Sequence, residues 1–255
     1  MKRFTLSLFV FVLIAALVGC SPKDDPKVVL NTYYTNVMNA NYEDAYAILS
    51  EADRKASSKE DFVLFMNLNA ELYKWNGIEI KNKEMDSDSL VFTVAEKLHN
   101  NSDDRDESVT YKRAVIKEND EWKIFVNKNY GEEIPALQNS IGWMYIDGYI
   151  GPKRNGNEAA KWFHEALKRD ASYYQAYYGL SLAYAMLGKY DDAMTVANKY
   201  ISLSKEEREQ SGGYNVIGLC YMSRKDLVKA KEAFQKAVEL DPTNEYAITN
   251  LSRFK

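Results

Sequence analysis

Cysteine is nearly absent from this 255-residue chain: Cys20 and Cys220 stand alone, so no disulfide framework and no cysteine-based metal site can be built once either is used elsewhere. Histidine is as scarce. His99 and His164 fit neither a Ser-His-Asp set nor a zinc-type spacing, and no phosphate-cradling glycine loop is found. Cofactor and metal are therefore expected to be none. Basic residues are unclustered, and 33 lysines and arginines face 37 aspartates and glutamates for a formal charge of −4, which disfavours nucleic acid and anionic lipid surfaces as partners. After residue 20 no apolar run approaches the ~20 residues of a membrane-spanning helix. Tyrosine, by contrast, is in excess at 19 residues, within a composition otherwise ordinary for a globular protein of one to two domains.

The N-terminus is a separate matter. Lys2 and Arg3 precede an uninterrupted apolar stretch from Leu8 to Val18, followed by small residues, which is the pattern of a secretory signal. The stretch ends in Leu17-Val18-Gly19-Cys20, which resembles the lipobox of bacterial lipoproteins. The resemblance implies that residues 1–19 are cleaved off and that Cys20 carries diacylglycerol and palmitate-type chains. Residues 20–25 then form a lipidated tether. Each buried methylene contributes about 0.8 kcal/mol, so several chains on one cysteine anchor durably. Ser21-Pro22-Lys23-Asp24-Asp25-Pro26 is too rich in proline and charge to start a helix before Pro26. Loss of Lys2 and Arg3 takes the charge from −4 to −6. The expected location is the cell envelope. Ser21 suits the periplasmic face of an outer membrane where the cell has one, and the extracytoplasmic face of the cell membrane is expected otherwise. Cys220, in Gly218-Leu219-Cys220-Tyr221, is expected to be a buried, inert thiol.

Residues 26–131 read as a first domain. Pro26 opens a helical pattern with Val29, Tyr33 and Val37 on one face and Leu30, Tyr34 and Met38 beside them. Asn41 with Asp44, and Ser58 with Asp61, resemble N-cap pairs leading into Ala45, Ile48 and Leu49 and into Phe62, Phe65 and Met66, for three short helices in all. After Tyr73 the period becomes alternating: Ile78 and Ile80; Leu90, Phe92 and Val94; Val109 to Ile116; Trp122, Ile124 and Val126. These are four strands, the last two joined as a hairpin through Glu118-Asn119-Asp120-Glu121. The run after His99, Asn100 to Glu107, lacks the glycine and carboxylate spacing of a calcium loop and reads as a solvated hairpin loop. Helices first, then a curved antiparallel sheet ending in a hairpin with an inward tryptophan, resembles the nuclear transport factor 2-like cone fold. That resemblance implies a conical pocket used for catalysis in some members, and for ligand binding or dimerisation in others. Tyr33, Tyr34, Asp44 and Tyr46 are the residues a catalytic site would recruit, yet Asp44 already serves a helix start and tyrosines on an apolar face usually pack.

Residues 134–255 are self-similar. Ile141, Gly142, Tyr145, Ala159, Phe163 and Ala166 align with Tyr177, Leu180, Ser181, Tyr184, Gly188, Ala193, Ala197 and Tyr200, and both with Tyr214, Ile217, Gly218, Tyr221, Ala230, Phe234, Ala237 and Pro242. This pattern resembles tetratricopeptide repeats, at about 134–171, 174–205 and 211–242 with a capping helix at 244–255. The first repeat is similar to the longer Sel-type variant. Antiparallel helices approach closely only where glycine or alanine occupies the crossing and an aromatic fills the gap beside it. Tyr145 to Tyr184 is 39 residues and Tyr184 to Tyr221 is 37, against a usual period of about 34. The surplus is expected in loops at Gly148–Gly156 and Ser204–Gly213. The chain as a whole is α+β, with the cone-type domain followed by an all-α repeat array.

The repeat resemblance implies a concave groove lined by the first helix of each pair, and alignment places Asn139, Trp143, Tyr178, Leu182, Asn215, Leu219 and Met222 on it. Amides suit main-chain recognition of an extended peptide, and Trp143 and Tyr178 have the character of anchors. The groove lacks the Lys and Arg set with which some family members clamp a terminal carboxylate. The expected role is a non-enzymatic, lipid-anchored adaptor that binds a protein or peptide partner at the envelope. Small-ligand binding in the cone pocket is the alternative, catalysis there is a lesser one, and homodimerisation through the first domain a further role.

Overall fold

The computed structural model describes residues 25–86, 89–149 and 154–254. The leader, Cys20 and most of the tether lie outside the described residues. Helix α1 (Pro26–Met38) starts where Asp25 accepts a hydrogen bond from the Lys27 amide at 2.8 Å, with Pro26 in the first turn, and it buries Leu30, Tyr33, Tyr34 and Val37. The expected three helices are four. Helix α2 (Tyr42–Ala47) begins after Asn41, whose side chain makes no capping bond. Helix α3 (Glu51–Ala56) is an additional polar helix capped by Ser50, and α4 (Lys59–Leu72) is capped by Ser58 as read from the sequence. Asp53 explains α3. It is 1% exposed, takes the Ser50 hydroxyl at 2.7 Å, and accepts the backbone N–H groups of Val126, Asn127 and Lys128 at 2.9, 2.7 and 3.3 Å. A polar helix is thereby nailed to the end of the sheet.

Strands β1 (Tyr73–Asp86), β2 (Ser89–Asn100), β3 (Arg105–Glu118) and β4 (Glu121–Phe125) form an antiparallel sheet in the order 1-2-3-4. They are longer than their apolar segments because polar residues continue the ladder. Arg105 to Glu107, expected in a loop, pair with Asn100 to Leu98. The turn between β3 and β4 is Asn119-Asp120, both left-handed at φ 48° and 63°, which an Asn-Asp pair tolerates. Helices α1, α2 and α4 cover the face bearing Phe92, Val94, Val115 and Ile124.

Seven helices follow: α5 (Tyr130–Asp147), α6 (Gly156–Arg169), α7 (Tyr174–Met186), α8 (Tyr190–Leu203), α9 (Glu207–Ser223), α10 (Leu227–Leu240) and α11 (Glu245–Ser252). They stack as hairpins α5/α6, α7/α8 and α9/α10, with α11 closing the end. Close approach occurs where the glycines sit: a Cβ on Gly142 would lie 2.7 Å from the Phe163 ring, on Gly179 2.3 Å from the same ring, and on Gly218 2.5 Å from Phe234. One expectation is corrected. Residues 207–213 extend α9 instead of forming a loop, because Ser211 is buried with its hydroxyl on the Ala237 carbonyl at 2.7 Å and Gly213 packs under Ile201. Helix α5 belongs to both parts of the molecule, since Tyr130, Ile134, Ile141 and Met144 sit in the core of the first domain while Gly142 and Ile146 pack on α6.

Candidate functional site at the inner face of the helical hairpins

The first helices of the hairpins, α5, α7 and α9, lie side by side, with α11 beyond them. Trp143 of α5 meets Tyr178 of α7 with ring centroids 5.7 Å apart, and Tyr178 meets Tyr200 of α8 at 5.1 Å. Trp143 also stands edge-on to Phe163 at 5.9 Å. The two expected anchors therefore touch, are half-buried, and form one aromatic row; burial pushes the Tyr178 hydroxyl above its usual range, so it stays a neutral donor. Leu182 is half-buried between the α5–α7 and α8–α9 contacts. Asn139 is buried in α5, with its Oδ1 lacking a protein partner among the described residues. Asn215 is buried too, and its Oδ1 accepts from Asn250 of α11 at 3.0 Å. Met222, half-buried like Leu219, takes a weak bond from Arg253 at 3.9 Å to its sulfur. Thus α11 covers the α9 part of the aligned set, and Trp143 and Tyr178 remain as its joined aromatic pair.

A recess of ≈ 820 Å³ on this side lies between α7, the start of α9 and the α10–α11 turn. Tyr178 and Tyr200 floor it, and Tyr246, 79% exposed, stands at its rim. Its charges are Glu206, Glu209, Asp241 and Glu245 against one Arg208. Glu209 is the distinctive member. One carboxylate oxygen accepts the Tyr174 hydroxyl at 2.7 Å, while the other is buried and has no partner among the described residues. A buried carboxylate oxygen without a partner is costly, so the recess favours an incoming cation or donor. Asp241 is tied into the turn by Thr243, whose hydroxyl and N–H bonds hold its carboxyl below the usual range. Of the residues read from the alignment only Tyr178 lines this recess; the others come from Glu206–Glu209 and the α10–α11 turn.

Cys220 is buried and its thiol is pushed up to about 11 by desolvation, as expected of an inert position. His164, on the exposed side of α6, meets the Tyr184 hydroxyl at 2.8 Å. His99 sits between Asp104 at 3.2 Å and Asp106 at 2.9 Å. Of the side chains named for a catalytic site, Tyr33 and Tyr34 are buried together, Tyr46 bonds the Ser57 carbonyl at 2.9 Å, and Asp44 is exposed.

Residues 153–213 and 212–244 each match a family model described as Tetratricopeptide repeat. The C-terminal region is an array of tetratricopeptide repeats. The array is similar to the Hsp70-Hsp90 organising protein of Plasmodium falciparum, with 31% identity over 98 residues, 38% of this chain and 38% of that protein. The chain also resembles outer dynein arm-docking complex subunit 4 of Xenopus laevis, at 25% identity over 160 residues, 62% of this chain and 30% of that protein. It thus spans about a third of the length of these curated relatives. Among solved structures, the first tetratricopeptide domain of the human RPAP3 protein superimposes with a TM-score of 0.41 at 20% identity, covering 48% of this chain and 89% of that one.

Proposed function

We propose that the protein is a non-catalytic adaptor, anchored to a membrane of the cell envelope through Cys20, whose tetratricopeptide array holds a partner protein by an extended segment carrying a lysine or arginine. The observation that carries this reading is the unpartnered oxygen of Glu209 in a recess with four carboxylates and one guanidinium. Opposite charge draws a basic segment toward such a cleft and sets its orientation. Trp143 and Tyr178 supply apolar contact area next to it. What supports the anchor is Leu17-Val18-Gly19-Cys20 behind Lys2, Arg3 and the apolar run from Leu8 to Val18. What supports a cone-type first domain of the nuclear transport factor 2-like kind is the element order, four helices followed by a four-stranded antiparallel meander.

The test is fluorescence anisotropy of two labelled peptides of equal length, one lysine-rich and one glutamate-rich, with a soluble form beginning at Pro22. The basic peptide should bind and the acidic one should not. Glu209→Gln should weaken binding about ten- to hundredfold without lowering the melting temperature, since a charge-assisted bond contributes on the order of 1.5–3 kcal/mol. Preference for the acidic peptide, or indifference to Glu209→Gln, overturns the assignment of the recess. The anchor is tested separately, by whether Cys20→Ser moves the protein from the membrane to the soluble fraction.

A further inference from the structure

The first domain holds a second cavity, ≈ 180 Å³, between α1, α4 and the curved face of the sheet. Its floor is unusual for a sheet core. Glu96 stands on β2 at the inward positions shared by Phe92, Val94 and Leu98, and Arg113 stands on β3 opposite Phe92. The Tyr34 hydroxyl donates to Glu96 at 2.8 Å, Arg113 Nη2 donates to the same oxygen at 3.3 Å, and Arg113 Nε donates to Tyr34 at 3.1 Å. These three groups neutralise one another, so the internal charge of the floor is balanced.

Of the remaining polar groups of the cavity, Asn69 and the Tyr33, Tyr111 and Tyr130 hydroxyls can donate or accept, whereas Trp75 and Lys128 can only donate. The indole N–H of Trp75 is buried and has no partner among the described residues. The Lys128 ammonium reaches over the Phe65 ring at 4.4 Å, and its ion-pair partner Glu133 lies at 2.9 Å on the surface, where such pairs are readily exchanged. Three of the aromatic faces that could attract a cationic guest already carry the protein's own cations. Arg113 lies 4.5 Å from the centroid of Tyr111, and Lys128 covers Phe65 and Tyr130. An ammonium ligand would face two cations of the protein's own, while an acceptor bearing negative charge meets the Lys128 ammonium and an indole N–H that has no partner among the described residues.

We propose that this cavity binds a small planar carboxylate, of the size of one six-membered ring, with its carboxylate on the Trp75 indole and Lys128 and its ring among the tyrosines. The size follows from the volume: a cavity of about 150 Å³ takes a benzene. Burial pushes the Tyr33 hydroxyl up to about 12 and Tyr34 higher still, so neither becomes a tyrosinate that would repel the guest. The site is independent of the groove on the tetratricopeptide array, and either can fail without the other.

The experiment follows the indole N–H resonances of Trp75, Trp122, Trp143 and Trp162 by NMR in the full chain, with the Trp75 peak identified by Trp75→Phe. Benzoate, benzyl alcohol and benzylamine are the probes. Benzoate should shift the Trp75 peak saturably and leave the other three in place, with benzyl alcohol weaker and benzylamine without effect. Trp75→Phe breaks no hydrogen bond among the described residues, and Lys128→Gln removes a partly exposed ion pair and the contacts over Phe65 and Tyr130, so both should fold, and each should weaken benzoate about tenfold by calorimetry. Absence of any Trp75 shift by about 10 mM benzoate overturns the proposal, because binding weaker than the millimolar range has no specificity to explain. Equal response to benzylamine or benzyl alcohol, or unchanged affinity in both variants, overturns it as well.

Discussion

Replacing Gly179 and Gly212 by alanine should change stability in opposite directions, although both glycines lie inside helices. In a helix interior the exchange is favourable by about 1 kcal/mol on backbone grounds alone. At Gly212 the new Cβ would meet Tyr178 at 3.4 Å, an ordinary contact, so most of that gain should survive. At Gly179 it would lie 2.3 Å from the Phe163 ring, far inside contact distance. Phe163 cannot retreat, because it is fully buried and the same ring already closes on Gly142. Overpacking of this kind costs about 1–3 kcal/mol, and against a ring that cannot retreat the upper end applies, which leaves a net loss of about 2 kcal/mol after the helix gain. In a chain of this size a kcal/mol moves the melting temperature by about 2–4 °C, so the two variants should lie ~6 °C apart, on either side of wild type. Calorimetric melting of the two variants decides it. The double variant Gly179→Ala/Phe163→Leu should recover part of the loss, as coupled neighbours do. If Gly179→Ala is as stable as wild type, the crossing does not depend on glycine and the packing account is wrong.

Asp53→Asn should cost about 3–5 kcal/mol in chemical denaturation, because an amide cannot accept all three backbone N–H groups and the Ser50 hydroxyl; a loss below 1 kcal/mol would show that the α3 anchor is dispensable. Cys220 should resist alkylation by iodoacetamide at pH 8 and react at the rate of a free thiol only after denaturation, since burial raises its thiol to about 11. Asp170, Asp226 and Asp241 are held below the ordinary carboxyl range by hydrogen bonds from the residues just after them. Their contribution is present above the unfolded value of about 4 and is lost as the pH falls through the lowered folded values, so the array's melting temperature should decline below about pH 4. The triple asparagine variant should flatten that decline, modestly because the groups are exposed.

The helical hairpins were readable from the sequence because their crossings demand particular residues: Gly142 and Gly218 stand where Phe163 and Phe234 must fit, and an alignment finds such positions without any structure, whereas Gly179 lies outside the aligned positions. The first domain was readable as helices followed by strands, since the switch of period at Tyr73 coincides with the start of β1. Helix α3 was not, because four charged residues and two alanines, with the aspartate as the buried one, leave no apolar stripe. The strands were read short for a related reason, since residues such as Arg105 and Asp106 pair along the ladder without contributing to the core. The recess beside Glu209 gathers Tyr178, Tyr200, Glu209 and Tyr246, which only helix stacking brings together. Glu96 and Arg113 did leave a trace: a charge at an inward position between Val94 and Leu98 breaks the alternation, and such a break marks either an error in register or a polar site.

Helix α5 also governs how this chain can be taken apart. Its Ile134, Ile141 and Met144 side chains complete the core beneath the sheet, while its other flank seats Phe163. A cut near residue 132, attractive from the pattern of the sequence, would open an oily trough in one fragment and strip the other of the core against which Ile134, Ile141 and Met144 pack. The joint between the two parts is thus a weld: one helix serves both cores, so a pull on the array bears on the core beneath the sheet.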